Sequence, residues 1–93
     1  MHALQLTITF QLPGCASLKE KRARLRRLAD HFGRDSNIAV TESDFHDQWQ
    51  RGQWSFVIVG ENQRIIEARS AAIETYCHQL DAYVTNSQRQ LLC

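Results

Sequence analysis

Leu4-Gln5-Leu6-Thr7-Ile8-Thr9-Phe10-Gln11-Leu12 alternates apolar and polar residues without a break. A period of two puts Leu4, Leu6, Ile8, Phe10 and Leu12 on one face and Gln5, Thr7, Thr9 and Gln11 on the other. Residues 3–12 therefore read as a strand covered on one side only. Pro13-Gly14 ends it. The period then changes. From Leu18 to Phe32 a helical stripe collects Leu18, Leu25, Leu28, Ala29 and Phe32, and Gly33 suits a C′ stop. Residues 37–44 predict a second strand through Ile38 and Val40. Phe45 to Gly52 is a connection. Gln53 to Val59, rich in aromatic and β-branched residues, is a third strand ended by Gly60. A second helix is expected over Asn62–Leu80, with Ile65, Ile66, Ala72, Ile73, Tyr76 and Leu80 inward. Ala82–Thr85 is a fourth strand, and the tail Asn86–Cys93 either extends it or frays.

The order β-α-β-β-α-β predicts an α+β, ferredoxin-like split βαβ fold. It has an antiparallel four-stranded sheet with both helices on one face. The polar side of the first strand suits the uncovered face. The 93 residues are enough for a single domain, 1–93, with one modest core. No apolar run approaches the ~20 residues of a membrane span, and no basic segment followed by an apolar stretch opens the chain. Three cysteines, Cys15, Cys77 and Cys93, have no paired spacing. They argue against a disulfide framework and for a reducing, cytoplasmic setting.

The net charge is +1, but it is unevenly spread. Residues 17–34 carry seven Lys/Arg against Glu20 and Asp30, while 35–47 carry Asp35, Glu42, Asp44 and Asp47 and no base. Ser17 and Glu20 have capping-box spacing: the hydroxyl takes a free N–H, and the carboxylate returns to the N-cap N–H. Lys19, Lys21 and Arg22 then sit at the positive end of the helix dipole, where cations are disfavoured by a few tenths of a kcal/mol each. A helix that accepts this cost is a candidate phosphate site, either at its free N–H groups or along Lys19, Lys21, Arg22, Arg26 and Arg27. The charges surround the exposed helix and do not form one stripe. Lys21 points into the apolar stripe, so its ammonium is expected to snorkel past the core edge. The Gly-rich loop and Lys-Ser/Thr ending of a nucleotide-hydrolysing loop are missing.

Ser17-Leu18-Lys19-Glu20-Lys21-Arg22, with Glu42, Asp47 and Trp49-Gln50-Arg51 ahead of the third strand, resembles the YlxP-like family of small bacterial proteins of unknown function. The resemblance runs over nearly the whole chain. It implies a ferredoxin-like fold and, through frequent association with translation-initiation and ribosome-assembly proteins, contact with RNA or the small ribosomal subunit. It supplies no catalytic residues. Trp54 and Phe56 stand where relatives usually carry smaller aliphatics.

Other motifs carry weaker signals. Arg51-Gly52-Gln53-Trp54-Ser55-Phe56-Val57 is loosely like the RNP1 octamer, whose aromatics stack on bases. The first strand offers no aromatic to complete such a platform, so Trp54, Phe56 and Ile58 are expected to face the helices as core. Glu42, Asp44 and His46, with Asp47, could meet as metal ligands; ion pairing to Lys21, Arg51 or Arg69 is the expected alternative, and no metal or cofactor is assigned. Arg69 falls within the apolar stripe of the second helix; it either reaches past the core edge to water or pairs with a carboxylate, Glu42 being the expected one. The first strand–helix junction, Pro13-Gly14-Cys15-Ala16-Ser17, lacks the Arg of acylphosphatase-type enzymes. The cysteines offer no nucleophile arrangement, and the expectation is a non-enzymatic protein. Its leading reading is RNA contact through Lys19, Lys21, Arg22, Arg26, Arg27 and Arg51. The alternative is a ligand-sensing or oligomerisation module, with a homodimer through the open sheet face.

Overall fold

A computed structural model describes residues 1–93. The elements are β1 (His2–Gln11), α1 (Leu18–Leu25), α2 (Arg27–Phe32), β2 (Ile38–Asp44), β3 (Arg51–Gly60), α3 (Gln63–Cys77) and β4 (Tyr83–Leu91). All four strands join one antiparallel sheet in the order β2-β3-β1-β4. This is the ferredoxin-like split βαβ topology read from the sequence. The expected first helix is interrupted at Arg26, whose own dihedrals stay helical (φ −56°, ψ −29°), so α1 and α2 form one arm. Gly33 caps α2 in a right-handed conformation (φ −67°), not as a left-handed stop. Gly14, at φ +74°, does take the left-handed region and turns the chain after β1.

The alternation of β1 decides the two faces. Leu4, Leu6, Ile8 and Phe10 are at most 1% exposed and join Phe56 and Ile58 of β3 under the helices. Register fixes the side of each β3 residue: Trp54 pairs with Ile8, Phe56 with Leu6 and Ile58 with Leu4. Trp54 and Phe56 therefore face the helices, as expected, and the RNP1-like platform does not form. Phe32, Phe56 and Tyr76 make edge-to-face contacts that tie α2 and α3 to the sheet, with centroids 5.8 Å (Phe32–Phe56) and 5.1 Å (Phe32–Tyr76) apart.

On α3 the buried positions are Ile66, Ser70, Ile73 and Cys77. Ile65 and Ala72, expected inward, are exposed because the stripe is narrower than the run of apolar residues suggests. Burial pushes the Cys77 thiol up to about 12, which makes it a core residue and not a nucleophile. Helix α3 stops at Cys77, short of the expected Leu80.

The tail resolves in favour of extension. Strand β4 runs to Leu91, and the ladder continues as Leu92 N–H donates to Ala3 O (2.8 Å) and Ala3 N–H to Cys93 O (3.1 Å). A register shift opposite Thr9/Phe10 lets Thr85 bulge and send its hydroxyl to Thr9 O (3.2 Å). Arg89 and Ser87 then reach Glu67 and Glu74 of α3.

These placements order two substitutions. Phe56, at 0% exposure, should cost roughly 3–5 kcal/mol on change to Ala. Trp54 is half-buried against the core edge, so Trp54→Ala should cost less than Phe56→Ala. Urea unfolding of the two variants gives the order, and a stability loss for Trp54→Ala equal to or above that of Phe56→Ala would show that its indole is deeper than described.

Candidate nucleic-acid interface

The arm begins with the expected cap, slightly altered. Glu20 N–H donates to Ser17 Oγ (3.0 Å), but Glu20 Oε2 accepts from Ala16 N–H (2.6 Å), one residue earlier than in a capping box. That bond, helped by Arg24, holds the Glu20 carboxyl below its ordinary range. The Glu20 carboxylate thus takes the Ala16 N–H and sets a negative charge beside the helix start, where it opposes a phosphate.

The cations of the arm divide by what they touch. Lys21 does not snorkel: the residue is 2% exposed, and Nζ donates to Phe45 O (2.6 Å) with Glu42 Oε2 at 3.7 Å. Its stem passes over Gly52, where a Cβ would stand 3.1 Å from Leu25 Cδ1 and 3.3 Å from Lys21 Cε. Lys21 therefore leaves the set of surface contacts. Arg24 is spent between Glu20 (3.4 Å) and Asp81 (3.5 Å). Lys19, Arg22, Arg26, Arg27 and Arg34 are exposed. Among them Arg26 alone has a carboxylate within ion-pair range, Asp30 at 3.8 Å with both side chains mostly in water.

These exposed cations do not share one patch. Arg22 and Arg26 border a hollow of about 280 Å³ floored by Leu25, Ala29 and Trp54 and walled by Lys21 and Glu42. Arg27 and Arg34 border a second depression with Asp30, His31 and Tyr76, where His31 stacks on Tyr76 at 4.5 Å. Arg34 was missed as a site residue, although it belongs to the basic block of the sequence. Arg51 lies apart, its guanidinium 3.9 Å over the Phe45 ring. Phe45 is the one non-glycine residue with positive φ (59°), an uncommon state for a bulky side chain. Asp44 Oδ1 (2.7 Å from Phe45 N), the Gln48 N–H (3.1 Å from Phe45 O) and the Lys21 ammonium hold it there.

The acidic run disperses. Glu42 turns to Lys21, Asp44 caps Phe45, and His46 Nε2 lies 3.2 Å from Glu42 O. No group of three His, Cys, Asp or Glu residues comes together as a metal set. Arg69 does find a carboxylate, but it is Asp35 and not Glu42. Glu42 is committed to Lys21 at the other end of β2, whereas Asp35 sits in the turn before it. The Asn37 N–H, and then Arg69, hold the Asp35 carboxyl below its ordinary 3.8. All three cysteines are free, with Cys15 and Cys77 buried and Cys93 exposed.

Residues 4–89 match the family described as "Protein of unknown function (DUF503)", and the chain belongs to it. The expectation of a small family of unknown function holds at that level. No curated protein matches. Among solved structures, the chain is similar to the structural-genomics protein YJCS at 10% identity and TM-score 0.59, covering 95% of this chain and 96% of that one. It is similar to SnoaB, a cofactor-independent oxygenase from Streptomyces nogalater, at 16% identity and TM-score 0.60, covering 100% and 93%. A chlorite dismutase-like protein gives 9% identity and TM-score 0.58, covering 98% of this chain and 44% of that one. At these identities the likeness is one of fold. It nevertheless corrects the expectation of a non-enzymatic protein. The same scaffold carries an oxygenase, so the absence of a phosphate loop, a junction Arg and a cysteine nucleophile does not set this chain apart from enzymes.

The Lys21 contacts make a sharp stability prediction. Lys21→Met should cost about 1–2 kcal/mol: Glu42, with its side chain 29% exposed, loses its cation but keeps water, and Phe45 O keeps the Gln48 N–H. Lys21→Met combined with Glu42→Gln should cost less than the sum of the single changes, by about 1 kcal/mol or more. Strict additivity in urea unfolding would show that the pair does not form.

Proposed function

We propose that this protein binds structured RNA through Lys19, Arg22, Arg26 and Arg27 on the α1–α2 arm, with Arg51, apart from the arm over Phe45, as a further contact. The observation that carries the reading is the sorting of the basic block. Lys21 and Arg24 are consumed by the fold, while the others stand in water with a single loose carboxylate partner, Asp30 at 3.8 Å from Arg26. Phosphate contact is the chemistry such cations serve best, because each contact releases counterions. The net charge of only +1 makes the attraction local to this surface. The YlxP-like resemblance adds an association with ribosome assembly and translation, which selects the small ribosomal subunit as the particle to test and a reducing cytoplasm as the setting. No helix of the chain is long and apolar enough to cross a membrane.

A second reading rests on the open sheet face. Gln5, Thr7, Gln53, Ser55, Gln88 and Gln90 line it without charge, and Val57 and Val59 are half-buried among them. Hydroxyls and amides both donate and accept, so such a face is able to meet a second copy of itself. A dimer by sedimentation that Thr7→Arg dissolves would favour this homodimer reading.

For the RNA reading, Lys19, Arg22 and Arg26 changed together to Gln should leave stability nearly intact. RNA affinity should fall, and the dependence of log K on log salt should flatten by about two units, since each lost phosphate contact removes roughly 0.7–0.9. Co-sedimentation with small subunits should be lost in parallel and should be reversed by salt in the unmutated protein. Unaltered affinity and slope in a folded triple variant would remove this surface from RNA binding.

A further inference from the structure

We propose that the hollow between the α1–α2 arm and β3 receives one unpaired RNA base against Trp54, while Arg22 and Arg26 at its mouth take the flanking phosphates. This rests on the RNA reading above and gives it a specific subsite.

Three observations converge on this hollow. Trp54 faces the arm by register and is half-buried, so part of its indole is left uncovered by Leu25 and Ala29. Its Nε1 is shut off from solvent and has no hydrogen-bond acceptor. Nε1 is therefore out of a ligand's reach, and what the hollow offers is the exposed part of the ring itself. The hollow, at about 280 Å³, is close to the lower bound of roughly 300 Å³ for small-molecule sites. That is room for a single planar ring. Finally, the two mouth residues are arginines on long stems, and both are exposed. They can swing outward to admit a ring and then hold the phosphates on either side of it.

Other ligands fit less well. An inorganic anion would gain nothing from the apolar floor. A neutral apolar ring would leave Arg22 and Arg26 unused. A base held in duplex cannot enter, because its edges are paired and its faces stacked. The site therefore selects single-stranded or bulged RNA, where an unstacked base packs on an aromatic side chain.

The test uses Trp54 as its own reporter. In a Trp49→Phe background, which leaves Trp54 as the remaining tryptophan, a 12-nucleotide single-stranded RNA is titrated against emission, alongside the same sequence in duplex, a nucleoside monophosphate and inorganic phosphate. The expected result is saturable quenching by the single strand, weaker quenching by the monophosphate, and none by phosphate or duplex. Trp54→Phe keeps a ring and deletes the N–H. It should leave single-strand affinity within about threefold, because the stacking ring is kept. Trp54→Leu should weaken it by tenfold or more through loss of stacking. Equal affinity for single strand and duplex, with unchanged Trp54 emission but a steep salt slope, would overturn the base site and leave the arm's phosphate contacts standing. Quenching by phosphate alone would also overturn it. Absence of any RNA binding would overturn both the base site and the RNA reading.

Discussion

The structure depends on one buried cation. Lys21 sits in the first helix at a position the apolar stripe claims, and its ammonium ends among Phe45 O and Glu42 instead of water. Removing a charge from water costs several kcal/mol unless a counter-charge and hydrogen bonds replace the lost solvation. Here both partners come from the end of β2 and the turn after it. The arm is thereby fixed to the β2–β3 connection, Phe45 is held in its left-handed state, and Gly52 gives the lysine stem room where it crosses β3. Phe45 in turn offers its ring to Arg51. One lysine side chain links the arm, the end of β2, the turn after it and the third strand.

That link also explains which charges are left over. The basic block and the acidic block are neighbours in sequence, where opposite charges are able to pair. They cancel at one point, Lys21 with Glu42. Asp35 turns to Arg69 on α3, and Asp44 caps a turn. Arg24 is spent on Glu20 and Asp81, and the remaining cations of the arm are not used by the fold. Two of them, Arg22 and Arg26, border an apolar hollow that Trp54 lines. The fold neighbours, an oxygenase among them, show that the scaffold itself does not decide between binding and catalysis. Here the side chains on the arm carry the weight of the reading.

Much of this was legible in the sequence because period and register are local. The alternation of β1 predicted both faces of the sheet, and the same parity placed Trp54 and Phe56 under the helices. Ser17 and Glu20 marked the helix start. The failures were non-local. Polar Asn86–Gln90 shows no apolar alternation, so its strand depends on pairing with β1 and on Arg89 and Ser87 reaching α3. Lys21 looked able to snorkel because a helical wheel cannot show that the β2–β3 turn closes over it. Arg69 found Asp35 and not Glu42 because the sequence does not say which end of β2 the second helix crosses. The hollow beside Trp54 needs helix and sheet together before it exists.

Lys19 and Lys21 are the only lysines in the chain. Amine acylation read by mass spectrometry, with and without RNA, therefore tests the division between structural and free cations at two residues. Lys19 should react readily in the folded protein and become protected when RNA is present, while Lys21 should react in neither state until the protein is unfolded. Equal reactivity of Lys21 and Lys19 in the folded protein would contradict the buried ion pair, and a Lys19 rate indifferent to bound RNA would contradict the role of the arm.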